Sequence, residues 1–116
     1  MTIDAFARAL RARTTSSEET TERCLAVIRE RNDELNAFTL VMADVAREQA
    51  RQADREIAAG RDRGPLHGVP LAIKDLIDVR DTVTTGASAV RTSETPARVD
   101  APAIAHLRTA GAVFVG

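Results

Sequence analysis

A chain of 116 residues holds at most one small domain, and with no Trp, no Tyr and 3% aromatic residues its core must be built from Ala, Val, Ile and Leu. A net charge of -1 argues against a polyanion partner, and the scarcity of aromatic rings argues against a base-stacking platform for single-stranded nucleic acid. A single cysteine, Cys24, excludes an internal disulfide and a cysteine-based metal site. No apolar run is long enough to span a bilayer, and "MTIDAFARALRAR" is too polar for a signal peptide, so a cytoplasmic protein is the expectation.

The first half reads as helices. Ile3, Phe6, Ala7 and Leu10 recur at helical spacing over residues 3–12. "TTSSEETT" interrupts them, and Ser16 with Glu19 fits a capping box that opens a second helix running to about Arg31. Its apolar stripe is expected to be Cys24, Val27 and Ile28 with Leu25 alongside, Cys24 serving as a small buried residue. "NDE" then predicts a turn, and "LNAFTLV", residues 35–41, a short strand. A third helix is predicted from about Ala43 to Ala59, with Ala46, Ala50, Ala53 and Ile57 on its inner face and Gly60 as its stop. The other face carries Arg47, Glu48, Arg51, Asp54 and Arg55, and reads as solvated and self-paired.

The pattern changes at "GRDRGPLHG", a glycine-punctuated loop. "VPLAIKDLIDV" predicts one or two buried strands, with Pro70 acceptable at a first or edge position only. Residues 80–98 predict a long surface loop with little regular structure. Asp100 is expected to cap a helix with Pro102 in its first turn, Ile104 and Leu107 facing inward and Gly111 ending it. "AVFVG" predicts a further buried strand. Strand, loop, helix and strand in this order imply a parallel pair inside a covered α/β sheet. With the second strand at the end of the sequence, the expectation is an incomplete architecture: a helical lead-in over about 1–60, then strand, loop, helix and strand over about 61–116, together the N-terminal part of a single domain.

One residue is out of place. Of the sixteen Lys plus Arg, fifteen are Arg, and the single lysine, Lys74, falls inside the apolar run. Arginine stays charged in proteins, whereas lysine can give up its proton, and a desolvated amine favours its neutral form. A neutral lysine is one of the bases able to activate a serine hydroxyl. The same position also suits a lysine reaching water beside Asp75 or Asp78.

The neighbouring residues weigh on that choice. Gly68-Val69-Pro70-Leu71-Ala72-Ile73-Lys74-Asp75 fills every defining position of G-[IV]-P-[LFIV]-x-[IVL]-K-D, and the stretch resembles the opening motif of the amidase signature family. "ELNAFTLVMADVAREQARQAD", "TVTTGAS" and "VDAPAIAHLRTAGAVFVG" are similar to the family's lead-in, its loop after the lysine and the helix and strand that follow. The resemblance covers the chain from about Ser16. It implies the first elements of a mixed central sheet covered by helices. It implies hydrolysis of a small-molecule amide by a Ser–cis-Ser–Lys serine hydrolase, with Lys74 as the catalytic lysine and neither metal nor organic cofactor. The same pattern occurs in general amidases and in the amidase subunit of tRNA-dependent amidotransferases, so partner subunits or a homodimer are both compatible with it.

Both catalytic serines of that family lie downstream of these motifs. Here Ser16 and Ser17 read as helix caps, and Ser88, with Ser93 nearby, lies in the loop where contact with substrate is the most it can supply. Asp75 is expected to order the loop holding Lys74. His67 and His106 read as bystanders in a mechanism that uses no histidine. The alternative is a non-catalytic remnant or helical interaction module that hides its apolar strands against a partner.

Overall fold

The computed structural model describes residues 2–116. Helix α1 (Ile3–Arg11) opens on Thr2, whose hydroxyl accepts from the Ala5 N–H at 3.1 Å, and it buries Phe6, Ala7 and Leu10. Helix α2 (Ser17–Leu35) is capped by Ser16, whose Oγ accepts from the Glu19 N–H at 3.0 Å. Only half of the capping box forms, because the Glu19 carboxylate accepts from the Thr15 hydroxyl instead.

Two expectations fail at the far end of α2. The helix continues through "NDE" and stops at Asn36, which adopts the left-handed conformation (φ 49°) tolerated by Asn. The strand expected over 35–41 is absent. Asn32 explains both, since its side-chain amide donates to Phe38 O at 3.0 Å and its carbonyl accepts from Phe38 N–H at 2.8 Å. Those backbone groups are consumed by a side chain rather than by a ladder. The buried stripe also differs: Thr21 and Leu25 are buried and Ile28 half-buried, while Cys24 is half-buried and Val27 is 58% exposed.

Helix α3 (Ala43–Ala58) buries Ala46, Ala50 and Ala53, small side chains that let the strand approach its axis closely. Its outer face pairs Glu48 with Arg51 (3.1 Å) and Arg55 (2.9 Å), as expected. Asp54 departs from that face. Its two oxygens accept from the N–H groups of Ser17 (2.8 Å) and Glu18 (3.0 Å), satisfying the free donors at the start of α2.

Strand β1 (Pro70–Leu71) pairs in parallel with β2 (Val113–Phe114), in the register Pro70 to Val113 and Leu71 to Phe114. Pro70 takes the first position, where its missing N–H is harmless. The pairing extends through Val113 N–H to Val69 O (2.9 Å), Val115 N–H to Leu71 O (3.0 Å) and Ile73 N–H to Gly116 O (2.8 Å). Alternation sends Val113 and Val115 toward Leu25, Ala46 and Ala50, and Phe114 toward Val79 and Ile104. Helices therefore cover both faces of β2 within the chain, although the sequence predicts an incomplete architecture. The edge of β2 away from β1 is occupied as well. Gln49 Oε1 accepts from Phe114 N–H at 2.8 Å, and Met42 N–H donates to Val115 O at 2.9 Å. A third cluster, Phe6, Leu10 and Val69, fastens α1 beside β1.

The connection from β1 to β2 is mostly irregular, as expected, with one 3-10 turn at Ala89–Arg91 before helix α4 (Pro102–Thr109). Asp100 does not cap α4. Ala101 occupies the cap position, and the Asp100 carboxylate instead binds Arg108 (2.6 and 2.9 Å) and accepts from Arg80 N–H (2.8 Å). The guanidinium of Arg108 offers two charged donors and outcompetes a helix end that Pro102 has already deprived of one N–H. The result is part of an α/β fold, with helices around a short parallel sheet.

Candidate active site around Lys74

The apolar run does not continue as a strand through Lys74. After the Ile73 rung, the Lys74 carbonyl accepts from the N–H groups of Leu76 (2.7 Å) and Ile77 (3.1 Å), so the chain turns sharply. Lys74 is exposed, and so are Leu76 (63%) and Ile77 (39%), where buried strands were expected. Neither expected carboxylate pairs with the ammonium. Asp78 accepts from the Thr84 hydroxyl at 2.6 Å, and among the described residues Lys74 forms no ion pair.

Asp75 spans three segments. One oxygen accepts from Thr85 N–H at 2.8 Å, and the other accepts from the hydroxyls of Thr85 and of Thr39 (2.9 Å). Its own carbonyl accepts from Gly86 N–H at 2.8 Å. The Thr85 hydroxyl above all, with its N–H and the Thr39 hydroxyl, holds the Asp75 carboxyl down to about 2 against the opposing effect of burial. The turn carrying Lys74 is thereby tied to the segment following α2 and to the loop at 82–87. These three segments form the walls of a cleft of about 530 Å³. Phe38, Leu40, Ile73, Leu76 and Val83 make most of its wall apolar. Among the described residues that line it there is one lysine and no Ser, Cys or His.

The serines lie elsewhere. Ser16 caps α2, and Ser17 is buried with its Oγ donating to Gly68 O at 2.7 Å. Ser88 begins the 3-10 turn, its N–H donating to Thr85 O at 3.0 Å, beside the cleft but outside its wall. Ser93 is exposed. His106 is exposed on α4, whereas His67 is 2% exposed, its Nε2 3.1 Å from Glu56 Oε2 and its Nδ1 accepting from Arg63 N–H at 3.2 Å. Burial pushes the His67 imidazolium down from its usual range. Glu56, bound by Arg63 (2.6 Å) and Gln52 (2.7 Å), is held at about 2. This group locks the loop before β1 to α3.

Sequence reasoning missed Thr39, Thr85 and Glu56. Thr85 lies in the quoted "TVTTGAS" and could have been paired with Asp75. Nothing in the local pattern marks Thr39.

The arrangement sets an exposed lysine on a tied turn in the wall of a largely apolar cleft that, among the described residues, has no Ser, Cys or His in its lining. Comparison with known proteins gives the family. Residues 19–116 match the family described as Amidase. The chain is 38% identical over 116 residues to an amidase of Pseudomonas putida, covering 100% of this chain and 24% of that protein. It is 41% identical over 105 residues to one subunit of the glutamyl-tRNA(Gln) amidotransferase of Anaeromyxobacter sp. (strain K), covering 90% of this chain and 21% of that one. Its fold superposes on native peptide amidase from Stenotrophomonas maltophilia with a TM-score of 0.90 and 32% identity, over 98% of this chain and 23% of that structure. The chain belongs to the amidase signature family of amide hydrolases, and it spans about a quarter of the length of these relatives.

Proposed function

We propose that these residues are the N-terminal, lysine-bearing part of a single amidase-signature domain that hydrolyses amide C–N bonds, with Lys74 as its catalytic lysine. One observation carries the reading: Gly68–Asp75 fills the family's lysine motif, and Lys74 stands on a pinned turn at the mouth of a cleft. In the proposed reaction a serine Oγ attacks the amide carbonyl carbon as its proton passes through a bridging serine to the Lys74 amine. The C–N bond then breaks, and the same proton leaves on the departing amine. Water completes the cycle by hydrolysing the acyl ester, and backbone N–H groups near the nucleophile hold the oxyanion. Lys74 is solvent-facing among these 116 residues, and in this reading both serines are supplied from outside them. No cofactor is invoked by this chemistry.

A second reading, as one component of an amidotransferase with partner subunits, is favoured by the 41% identity to such a component. It uses the same lysine and the same bond cleavage. For either reading the test is Lys74→Ala in the intact protein, with p-nitroacetanilide and glutamine as probe amides. Turnover is expected to fall by at least about 1000-fold with melting temperature unchanged. A near-normal rate sinks the role given to Lys74.

A further inference from the structure

Resting on that reading, we propose that Asp75 is a positioning residue for Lys74, acting through Thr39 and Thr85 as a three-way clamp. Lys74 needs such a device. No ion pair restrains it among the described residues, it lies past the last rung to β2, and its turn has only the Leu76 and Ile77 N–H groups to close it. A turn of that kind, carrying two exposed apolar side chains, has little packing to fix it.

Asp75 provides what packing does not. Its carboxylate takes three hydrogen bonds, two from Thr85 and one from Thr39 at 2.9 Å, and its carbonyl takes a fourth from Gly86 N–H. The donors come from two segments remote in sequence. The 37–42 segment is itself anchored, at one end by Asn32 on Phe38 and at the other by Met42 N–H on Val115 O. The clamp thus refers the Lys74 turn to α2 and to β2, the most deeply buried strand. Thr39 and Asp75 line the cleft, and Thr85 lies between Thr84 and Gly86, which line it too, so the clamp ties together the segments around the cleft. Asp75 touches no reacting atom in this account, and its effect passes entirely through the backbone it holds.

Thr85→Val removes one hydroxyl while leaving the backbone N–H to Asp75, Thr39→Val removes the other, and Asp75→Asn turns one acceptor into a donor facing donors. All are made in the intact protein, with Lys74→Ala alongside. Two readouts are needed: exchange of the Leu76 and Ile77 amides, and kcat and KM on p-nitroacetanilide and glutamine. The proposal expects amide exchange to accelerate about tenfold or more in each valine variant and kcat to fall about 10- to 100-fold with KM within about threefold. Thr85→Ser, which restores the hydroxyl, is expected to recover both. Unchanged exchange overturns the clamp, and faster exchange with normal kcat overturns its positioning role. A kcat loss confined to variants that melt early, and restored by cooling, reduces Asp75 to a structural staple and overturns the proposal equally. If Asp75→Asn does not fold, the two valine variants decide. Failure of the underlying reading looks different, since Lys74→Ala then keeps its turnover.

Discussion

At Gly111 the backbone has φ +80°, and a Cβ built there would collide with Cδ2 of His67. The glycine before β2 is therefore required twice, by its conformation and by the imidazole pressed against it. That close approach leaves His67 dry, and its neighbours, Glu56 at 3.1 Å, Asp62 at 4.0 Å and Arg63, do not offset the loss of hydration. A base whose protonation is disfavoured in the fold contributes stability above its unfolded pKa of about 6.5, and that contribution is lost as pH falls below it. Glu56, Asp75 and Asp100, held near 2 in the fold, contribute stability that is present above their unfolded values and lost as pH falls toward 2. Melting temperature is thus expected to fall in two stages on acidification, the first beginning near pH 6.5 and the second below about pH 4.5. His67→Gln should remove the first stage and spare the second, and a first stage that survives the substitution would assign it to another group. His67 shows where residue-level reading stops. The sequence reads it as a bystander because the resembled mechanism uses no histidine, and it gives no sign of the burial, which depends on Glu56 and Gly111.

Among the elements, the helices were the most legible. Alanines at 46, 50 and 53 and a Ser16–Glu19 spacing are local signals, and α1, α3 and the start of α2 follow them. Three of the errors share a cause, which is a side chain making a hydrogen bond the local pattern does not announce. Asn32 captured Phe38 and abolished a strand, Arg108 withdrew Asp100 from a helix cap, and Asp75 bent the apolar run after Ile73. Asp54 belongs to the same class and allows a direct measurement. It caps α2 from α3 through two backbone N–H groups, so Asp54→Ala is expected to destabilise by about 1 to 2 kcal/mol in urea or thermal unfolding. A loss below about 0.3 kcal/mol would show that water replaces the carboxylate without penalty, whereas Asp54→Asn, which keeps one acceptor, should recover part of the loss.

For the molecule as a whole, the parallel pair, its order and the position of Pro70 were readable because α/β connections follow few rules. The coverage of β2 was not, since it depends on how closely an alanine-faced helix approaches a strand. For the chemistry, the sequence offers a lysine motif, and no serine accompanies Lys74 in the cleft wall among the described residues. The 116 residues alone are accordingly expected to take up no acyl group from p-nitrophenyl acetate at any serine by intact-mass analysis, and an acyl-serine found on this chain would refute the division of labour proposed. The layout of the pair carries one more consequence, for the order of folding. Helices α2 and α3 are neighbours along the chain and can close on each other after a short loop. The rungs joining β1 to β2 must bridge about forty residues, and Lys74, Asp75 and Thr85 all lie within that bridge. Loop-closure entropy therefore makes the ladder costlier to close than the α2–α3 contact or the ten-residue Asp75–Thr85 loop, and the helical pair is expected to form before it.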